Sequence, residues 1–223
     1  MQLPKAEPAP RSDGSYRIEL FRKAIHLTSV LIPVFYFYMP RDIALAACVP
    51  ATLAALAVDM GRHYYAPLER LFNRLFGWLL RSHETDRNRK RLNGATWVMI
   101  SATLAIWLFP KLIAITGFCV LIVADMAAAL VGRRFGRHRF LAKSVEGSAG
   151  FFLSALLVVA LLPKVDYSAG EYLVGAVAAL VATVVEALPV DLDDNFSVPM
   201  SFSLAMWAGY LILYPAMEVY KFG

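Results

Sequence analysis

Seven apolar stretches, roughly 25–39, 43–58, 95–109, 112–131, 149–162, 172–188 and 198–214, fill most of this 223-residue chain and constrain its fold more than any other feature. A helix crossing the ~30 Å hydrocarbon core of a bilayer needs ~20 residues at ~1.5 Å each. Several of the stretches fall short of that, so flanking residues must lengthen the helices or the bilayer must thin around them. The composition excludes the usual alternative. With 59% apolar residues, 17% charged residues and a mean hydropathy of +0.55, the chain lies outside the range of a soluble domain. The expected fold is an all-α integral membrane protein of about seven transmembrane helices plus one amphipathic interfacial helix. Residues 1–20, polar and proline-rich without the apolar core of a cleavable signal, read as a flexible cytoplasmic tail, and 21–223 as a single multi-span membrane domain.

The basic residues set the orientation. Five lysines and arginines lie in the segment through Lys23, eight between 59 and 93, and five between 132 and 143; the intervening loops carry one each, at Arg41, Lys111 and Lys164. The positive-inside rule puts the N-terminus and both basic loops in the cytoplasm, the expected membrane being the cell inner membrane, and strict alternation brings the acidic connection 191–195 to the same side. The net charge of +5 therefore belongs to membrane-facing loops and not to a nucleic-acid surface. Cys48 and Cys119 lie inside apolar runs without metal-ligand spacing. Pro33, Pro50, Pro110 and Pro199 fall within or at the edges of spans, as kinks or boundaries. Between the second and third spans, Leu68, Leu71, Phe72, Leu75, Phe76 and Leu79 recur at helical spacing while Arg70, Arg74 and Arg81 point elsewhere. That helix either lies in the membrane interface or packs on the rest of the protein.

Chemistry-bearing residues gather at the cytoplasmic ends of the spans. Asp125 sits in GFCVLIVADMAAALVG, where an acid costs on the order of 2.5–3.5 kcal/mol on insertion scales and so faces a polar cavity, a cation or a basic partner. The plainer reading is an ion pair with an arginine of the following loop. That loop, GRRFGRHRFLAKSVEG, combines Arg133, Arg134, Arg137, Arg139 and Lys143 with three glycines and Ser144. Glycines let backbone amides approach an anion, and arginine forks and a lysine ammonium neutralise phosphoryl oxygens; a loop that only faces anionic headgroups has the same composition. It lacks the GxxxxGK[ST] spacing of a Walker A loop. Closing the sixth span, EALPVDLDDNFSVP supplies Glu186, Asp191, Asp193, Asp194 and Asn195, hard oxygen ligands at a density that suits magnesium or simply a solvated turn. Arg22, Lys23 and His26 open the first span, and Glu84 with Arg91, Asn93, Gly94 and Thr96 leads into the third. The role of His26 stays open. Three polar groups meeting at one membrane face favour phosphoryl chemistry on a membrane-borne substrate.

RKAIH at 22–26, RLNGAT at 91–96, ADMAAALVGRRFGRHR at 124–139, KSVEGS at 143–148 and DLDDNFSVP at 191–199 occur in this order along nearly the whole chain. The set resembles the polyprenol and diacylglycerol kinase family, which includes dolichol kinase, phytol kinase and the CTP-dependent diacylglycerol kinase. The resemblance implies a catalytic domain that phosphorylates a polyprenol, a phytol-like alcohol or diacylglycerol, with CTP as donor and Mg2+ or another divalent cation. It implies catalytic roles for Asp125, Lys143, Glu186 and Asp194, and a nucleotide site built from Gly132, Arg133, Gly136, Lys143, Ser144, Glu146, Gly147 and Asn195. Metal binding would fall to Asp125, Asp193 and Asp194, and the lipid alcohol would meet Arg22, Lys23, His26 and Asn93; the general base is unassigned. The nearest competing reading is a CTP:phosphatidate cytidylyltransferase-like enzyme, which releases pyrophosphate where a kinase releases CDP. A transporter using Asp125 and Glu186 as a pathway is the competitor from another class, without an internal repeat to support it.

Overall fold

The computed structural model describes residues 25–77 and 91–215. After a helical turn at 25–28, the helices are α1 (Leu31–Tyr38), α2 (Arg41–Gly61), α3 (Ala66–Phe76), α4 (Gly94–Leu108) and α5 (Lys111–Phe135). A two-stranded hairpin follows, β1 (Arg139–Phe140) with β2 (Lys143–Ser144), and then α6 (Val145–Leu161), α7 (Ala169–Ala187) and α8 (Asp194–Leu213). The tail 1–20 lies outside the described residues, as do Leu79, Arg81, Glu84 and the basic run through Lys90. Two prolines set tight corners. Pro40 and Pro110 hold φ near −58° and −52° with extended ψ, so α2 and α5 each start three residues after the preceding helix ends.

The chain is an all-α membrane protein apart from that hairpin. Four helices, α2, α5, α7 and α8, are long and apolar enough to cross a membrane, and the apolar helices 25–38, α4 and α6 are shorter. α5 is the axis of the bundle: Ile113, Val120, Leu121, Ile122 and Ala124 are completely buried, against Phe151 and Ala155 of α6 and Phe202 and Met206 of α8. Packing between helices in a membrane depends on small residues that let backbones approach. Gly117 of α5 is such a point, because a Cβ there would stand 3.2 Å from the carbonyl oxygen of Pro199 in α8 and would collide with Ser203 Oγ. On the outside, Leu153, Leu157 and Leu161 of α6 and Leu173, Val177 and Val184 of α7 form exposed stripes at helical spacing. Lipid chains are the natural cover for apolar surface of that extent.

The observed helix bounds correct two details of the sequence reading. α5 continues through Gly132, Arg133 and Arg134 to Phe135, so the first glycine of the basic loop is helical. Arginine is a good helix former, and a cation in the last turn lies favourably in the helix dipole, which explains the extension. The second detail is the hairpin itself, which an all-α reading omits. It turns on Leu141, a non-glycine residue at φ 51°, with Arg139 opposite Ser144 and Phe140 opposite Lys143. Tertiary contact holds this unfavourable conformation: the Ala142 N–H donates to the carbonyl of Ala187 at 3.0 Å, docking the hairpin on the end of α7.

The amphipathic segment forms α3. None of its residues is buried, and Leu71, Leu75 and Phe76 are about half exposed. It is tethered to α2 at one edge, where Leu68 meets Gly61 and the Arg62 guanidinium stacks 4.9 Å above the Phe72 ring. Of the two readings, this placement matches a helix lying at the periphery with its apolar stripe uncovered by the described protein.

Candidate functional site

The C-termini of α2, α5 and α7 and the N-termini of α4, α6 and α8 meet at one end of the bundle. Each of the three N-termini is capped by a side chain accepting a backbone N–H: Asn93 Oδ1 from Thr96 at 2.9 Å, Ser144 Oγ from Gly147 at 3.1 Å, and Asp193 Oδ1 from Asn195 at 2.9 Å. A cap satisfies one or two of the four orphan donors, so three helix starts converging at one end leave N–H groups and positive dipole ends facing the same region. That field favours an anion.

Lys143 is the centre of the charge arrangement. The hairpin directs its Nζ to Glu186 Oε1 at 2.9 Å and to Asp194 Oδ2 at 3.0 Å, joining the end of α7 to the start of α8. Burial works against the lysine's charge, but the carboxylates of Asp194 and Glu186 outweigh it and hold its pKa above the ordinary value. It is therefore an ammonium throughout the physiological range. Glu186 is almost fully buried, and its second oxygen, Oε2, has no hydrogen-bond partner among the described residues. Asp125 is close enough for its charge to act on Glu186 as well. On the other side Asp125 Oδ2 lies 3.9 Å from Nε2 of His26 at the start of the first apolar helix. Asp125, Lys143, Glu186, Asp194 and His26 are thus brought together from five separate segments.

The remaining predicted residues mostly build this end of the molecule. Asn195 donates from Nδ2 to the Gly94 carbonyl at 3.4 Å and accepts at its own carbonyl from Ser101 Oγ at 2.7 Å, locking α8 to α4. Asn93 and Asp193 act as caps, so Asp193 has one oxygen engaged by the Asn195 N–H. Glu146 folds the basic loop: it accepts the backbone N–H groups of Arg137 and His138 at 3.1 and 3.3 Å and sits 2.7 Å from His138 Nδ1. Gly132 and Gly147 allow α5 and α6 to touch, since a Cβ on Gly147 would stand 3.3 Å from the Gly132 Cα; Gly136 closes the last turn of α5 beneath Ser144. Arg133 is exposed in the last turn of α5. Arg22 and Lys23 lie outside the described residues.

Sequence reading missed a buried clamp beside this site. Asp59, near the end of α2, is 2.6 Å from Arg62 Nε through Oδ1 and accepts the Asn93 N–H at 2.7 Å through Oδ2; both members of the pair are nearly inaccessible. Arg62 also donates to the Arg91 carbonyl at 3.3 Å, and Arg91 pairs with Asp191 at 2.9 Å. The signal available was an acid and a base at i and i+3 where an apolar run ends. That pattern differs little from an exposed helix end.

The chain has relatives among known proteins. An uncharacterized protein of Rickettsia prowazekii is 30% identical over 192 residues, which is 85% of this chain and 94% of that protein. The CTP-dependent diacylglycerol kinase 1 of Schizosaccharomyces pombe is 28% identical over 149 residues, 64% of this chain and 66% of that enzyme. The chloroplastic farnesol kinase of Arabidopsis thaliana is 32% identical over 145 residues, 59% of this chain and 46% of that enzyme. The chain belongs to the polyprenol and diacylglycerol kinase family. It spans nearly all of the rickettsial relative but about two thirds and about half of the two kinases. No protein-family model and no solved structure matches it.

Members of this family need a site for donor phosphates, and the fit to a divalent cation can be judged from the residues present. Among the described residues, no three His, Cys, Asp or Glu side chains are already grouped for a metal ion. The donor chemistry nevertheless suits a hard cation: Glu186 and Asp194 hold Lys143, Asp125 lies near enough to Glu186 for its charge to act on it, and Glu186 Oε2 is a buried oxygen without a hydrogen-bond partner among the described residues. Asp193, engaged as a cap, fits less well than Glu186.

Proposed function

We propose that the protein is a membrane-embedded lipid-alcohol kinase that transfers the γ-phosphate of a nucleoside triphosphate, CTP by the family's precedent, to the hydroxyl of a polyprenol, phytol-like alcohol or diacylglycerol. The observation that carries this reading is Lys143, held between Asp194 and the Glu186 that Asp125 also approaches, at the meeting of three helix N-termini. In a seven-span arrangement this end faces the cytoplasm, where nucleotide is available, and the alcohol reaches it from within the bilayer.

Phosphoryl transfer requires little covalent chemistry of the protein, so positioning and charge compensation dominate. Lys143 and the N–H groups at the starts of α6 and α8 bind the donor's phosphoryl oxygens, and the arginines of the basic loop neutralise the outer ones. The lipid oxygen attacks the γ-phosphorus in line, the bond to the β–γ bridging oxygen breaks, and the nucleoside diphosphate leaves. In this reading Asp125, 3.9 Å from His26, takes the hydroxyl proton. A divalent cation held by Asp125, Glu186 and Asp194 would supply further neutralisation of the transferring group.

The test is incubation of purified protein with Mg2+, γ-labelled CTP or ATP, and a panel of diacylglycerol, phytol, geranylgeraniol and longer polyprenols. Label on a lipid together with released nucleoside diphosphate is the expected result, and it identifies acceptor and donor at once. Pyrophosphate release with phosphatidate and CTP, and no labelled alcohol, would replace the proposal with cytidylyl transfer.

A further inference from the structure

The start of α4 takes part of its cap from another helix. In a capping box, a glutamate or glutamine at the third helical position accepts the N–H of the cap residue. α7 is built that way, with Glu171 accepting the Ser168 N–H at 3.1 Å. In α4 the third position is Thr96, and the Asn93 N–H donates instead to Asp59 Oδ2 of α2 at 2.7 Å. Where α4 begins therefore depends on α2. The first two turns of α4, Gly94 to Ser101, are in turn the surface on which α8 starts. The Gly94 carbonyl accepts from Asn195 Nδ2 at 3.4 Å, and the Ser101 hydroxyl donates to the Asn195 carbonyl at 2.7 Å. Trp97 meets Phe196 with ring centres 5.6 Å apart. Asp194, which holds Lys143 at 3.0 Å, immediately precedes these two residues. A continuous series of short contacts thus runs from Asp59 through Asn93, α4 and Asn195 to the Asp194–Lys143 pair.

We infer that Asp59 is a positioning residue for phosphoryl transfer: its Oδ2 fixes the start of α4 and, through α4, the place of Asp194 against Lys143. The inference rests on the lipid-kinase reading. Stability alone is a weak reason for such a group, because a buried ion pair recovers little beyond its desolvation cost and apolar residues of similar size often serve as well. Asp59 and Arg62 are nonetheless both buried, and the two carboxylate oxygens divide the work. Oδ1 takes the Arg62 Nε at 2.6 Å, and Oδ2 takes the α4 cap. Arg62 adds a second hold on the same segment by donating to the Arg91 carbonyl at 3.3 Å. Transfer is sensitive to displacements of about 1 Å, so a shift in the start of α4 that the fold tolerates still separates the charged groups from their productive places.

Two double variants separate positioning from stability. Asp59→Leu/Arg62→Met removes both charges and leaves the Asn93 N–H without its acceptor, whereas Asp59→Asn/Arg62→Met removes both charges and keeps an amide oxygen able to accept it. Each is purified as the full-length protein, with Asp59→Ala/Arg62→Met replacing the leucine variant if that one does not purify. Melting temperature, transfer kinetics and amide hydrogen exchange at 93–97 and 194–198 are then measured. The leucine variant is expected to melt close to the asparagine one but to exchange faster in both segments. Its kcat should fall at least ~10-fold while KM for the donor changes less than about threefold. The asparagine variant should keep both segments protected and restore kcat to within about threefold of the unsubstituted protein. Equal kcat in the two variants, a loss carried by KM alone, or unchanged exchange at 194–198 would overturn the inference and leave the kinase reading standing. Faster exchange at 194–198 in the leucine variant alone, with no transfer to any alcohol by the unsubstituted protein, would remove the kinase reading and keep the coupling of Asp59 to Asp194.

Discussion

At Lys143, one side chain joins two acidic segments that lie 43 and 51 residues further along the chain. Lys143→Ala leaves the buried Glu186 near Asp194 and Asp125 without its lysine counter-charge, and also removes the ammonium proposed to meet the donor phosphates. Phosphoryl transfer to any accepted alcohol is expected to fall by at least ~10²-fold, in the range seen for loss of a preorganised electrostatic group, measured by labelled-nucleotide assay on protein that still purifies from membranes. Asp125→Asn should cost about as much, since it removes the carboxylate proposed to take the hydroxyl proton and to help hold the cation. The pH profile provides a separate check. The folded-state pKa of Lys143 lies above its unfolded value, so its ion pairs contribute fully below the unfolded pKa and are lost only as pH rises through the folded one. Between pH 7 and 9 the turnover rate should therefore show no alkaline decline from this residue. These groups were legible in the sequence because an acid inside an apolar run and a lysine in a glycine-rich basic loop are expensive or unusual there. The division of labour was less legible. Whether Asp193, Glu146 or Asn195 meets a ligand or the backbone depends on which N–H groups the fold brings within ~3 Å, and residue type alone does not determine that.

Helix identity followed from apolar length and proline position, and each predicted stretch has its helix or part of one. Helix ends did not follow, because the turn that carries Gly132 and Arg133 reads as loop by composition and becomes helix through its neighbours. The α5–α6 contact shows why glycine matters at that place. Gly147 has the Ser144 Oγ, the Ala128 carbonyl oxygen and the Gly132 Cα all within 3.0–3.3 Å of where a Cβ would sit. Gly147→Val should push α6 off α5, displacing the hairpin and Lys143 together, and be seen as a lowered melting temperature in detergent along with lost turnover. The Asp59 clamp has a sharper expectation. Asp59→Ala strands the buried Arg62 charge and frees the Asn93 N–H, with a cost of about 3–5 kcal/mol for the broken buried pair. The double variant Asp59→Ala/Arg62→Met should recover part of that loss, because it no longer buries an unpaired charge; thermal unfolding of the two variants side by side measures the difference.

The two ends of the molecule differ in what their polar groups do, and that difference bears on how it lies in the membrane. At the end opposite the site, Glu171 accepts the backbone N–H groups of Val165, Asp166 and Ser168 and the Tyr210 hydroxyl, all within 3.1 Å, and Lys164 donates to the carbonyls of Val159 and Leu162. These groups close a loop, with both Glu171 oxygens engaged twice and Lys164 buried. The site end has basic side chains exposed in the hairpin and in the last turn of α5, together with the incompletely bonded Glu186. An enzyme drawing nucleotide from the cytoplasm must have that end inside. Three of the seven apolar helices are shorter than a full crossing, so the span count needs its own measurement. In a Cys48→Ala/Cys119→Ala background, Arg137→Cys and Asp166→Cys place single thiols at opposite ends of the bundle. With an impermeant maleimide, Arg137→Cys is expected to react in inverted vesicles and be protected in right-side-out ones, and Asp166→Cys to show the opposite pattern. Reaction of both from one side would mean that α6 does not cross, which would break the strict alternation linking Lys143 on one side of α6 to the Glu171 loop on the other. Reversed labelling of both would keep seven spans but turn the site outward, away from nucleotide, and the kinase reading would then lose its donor.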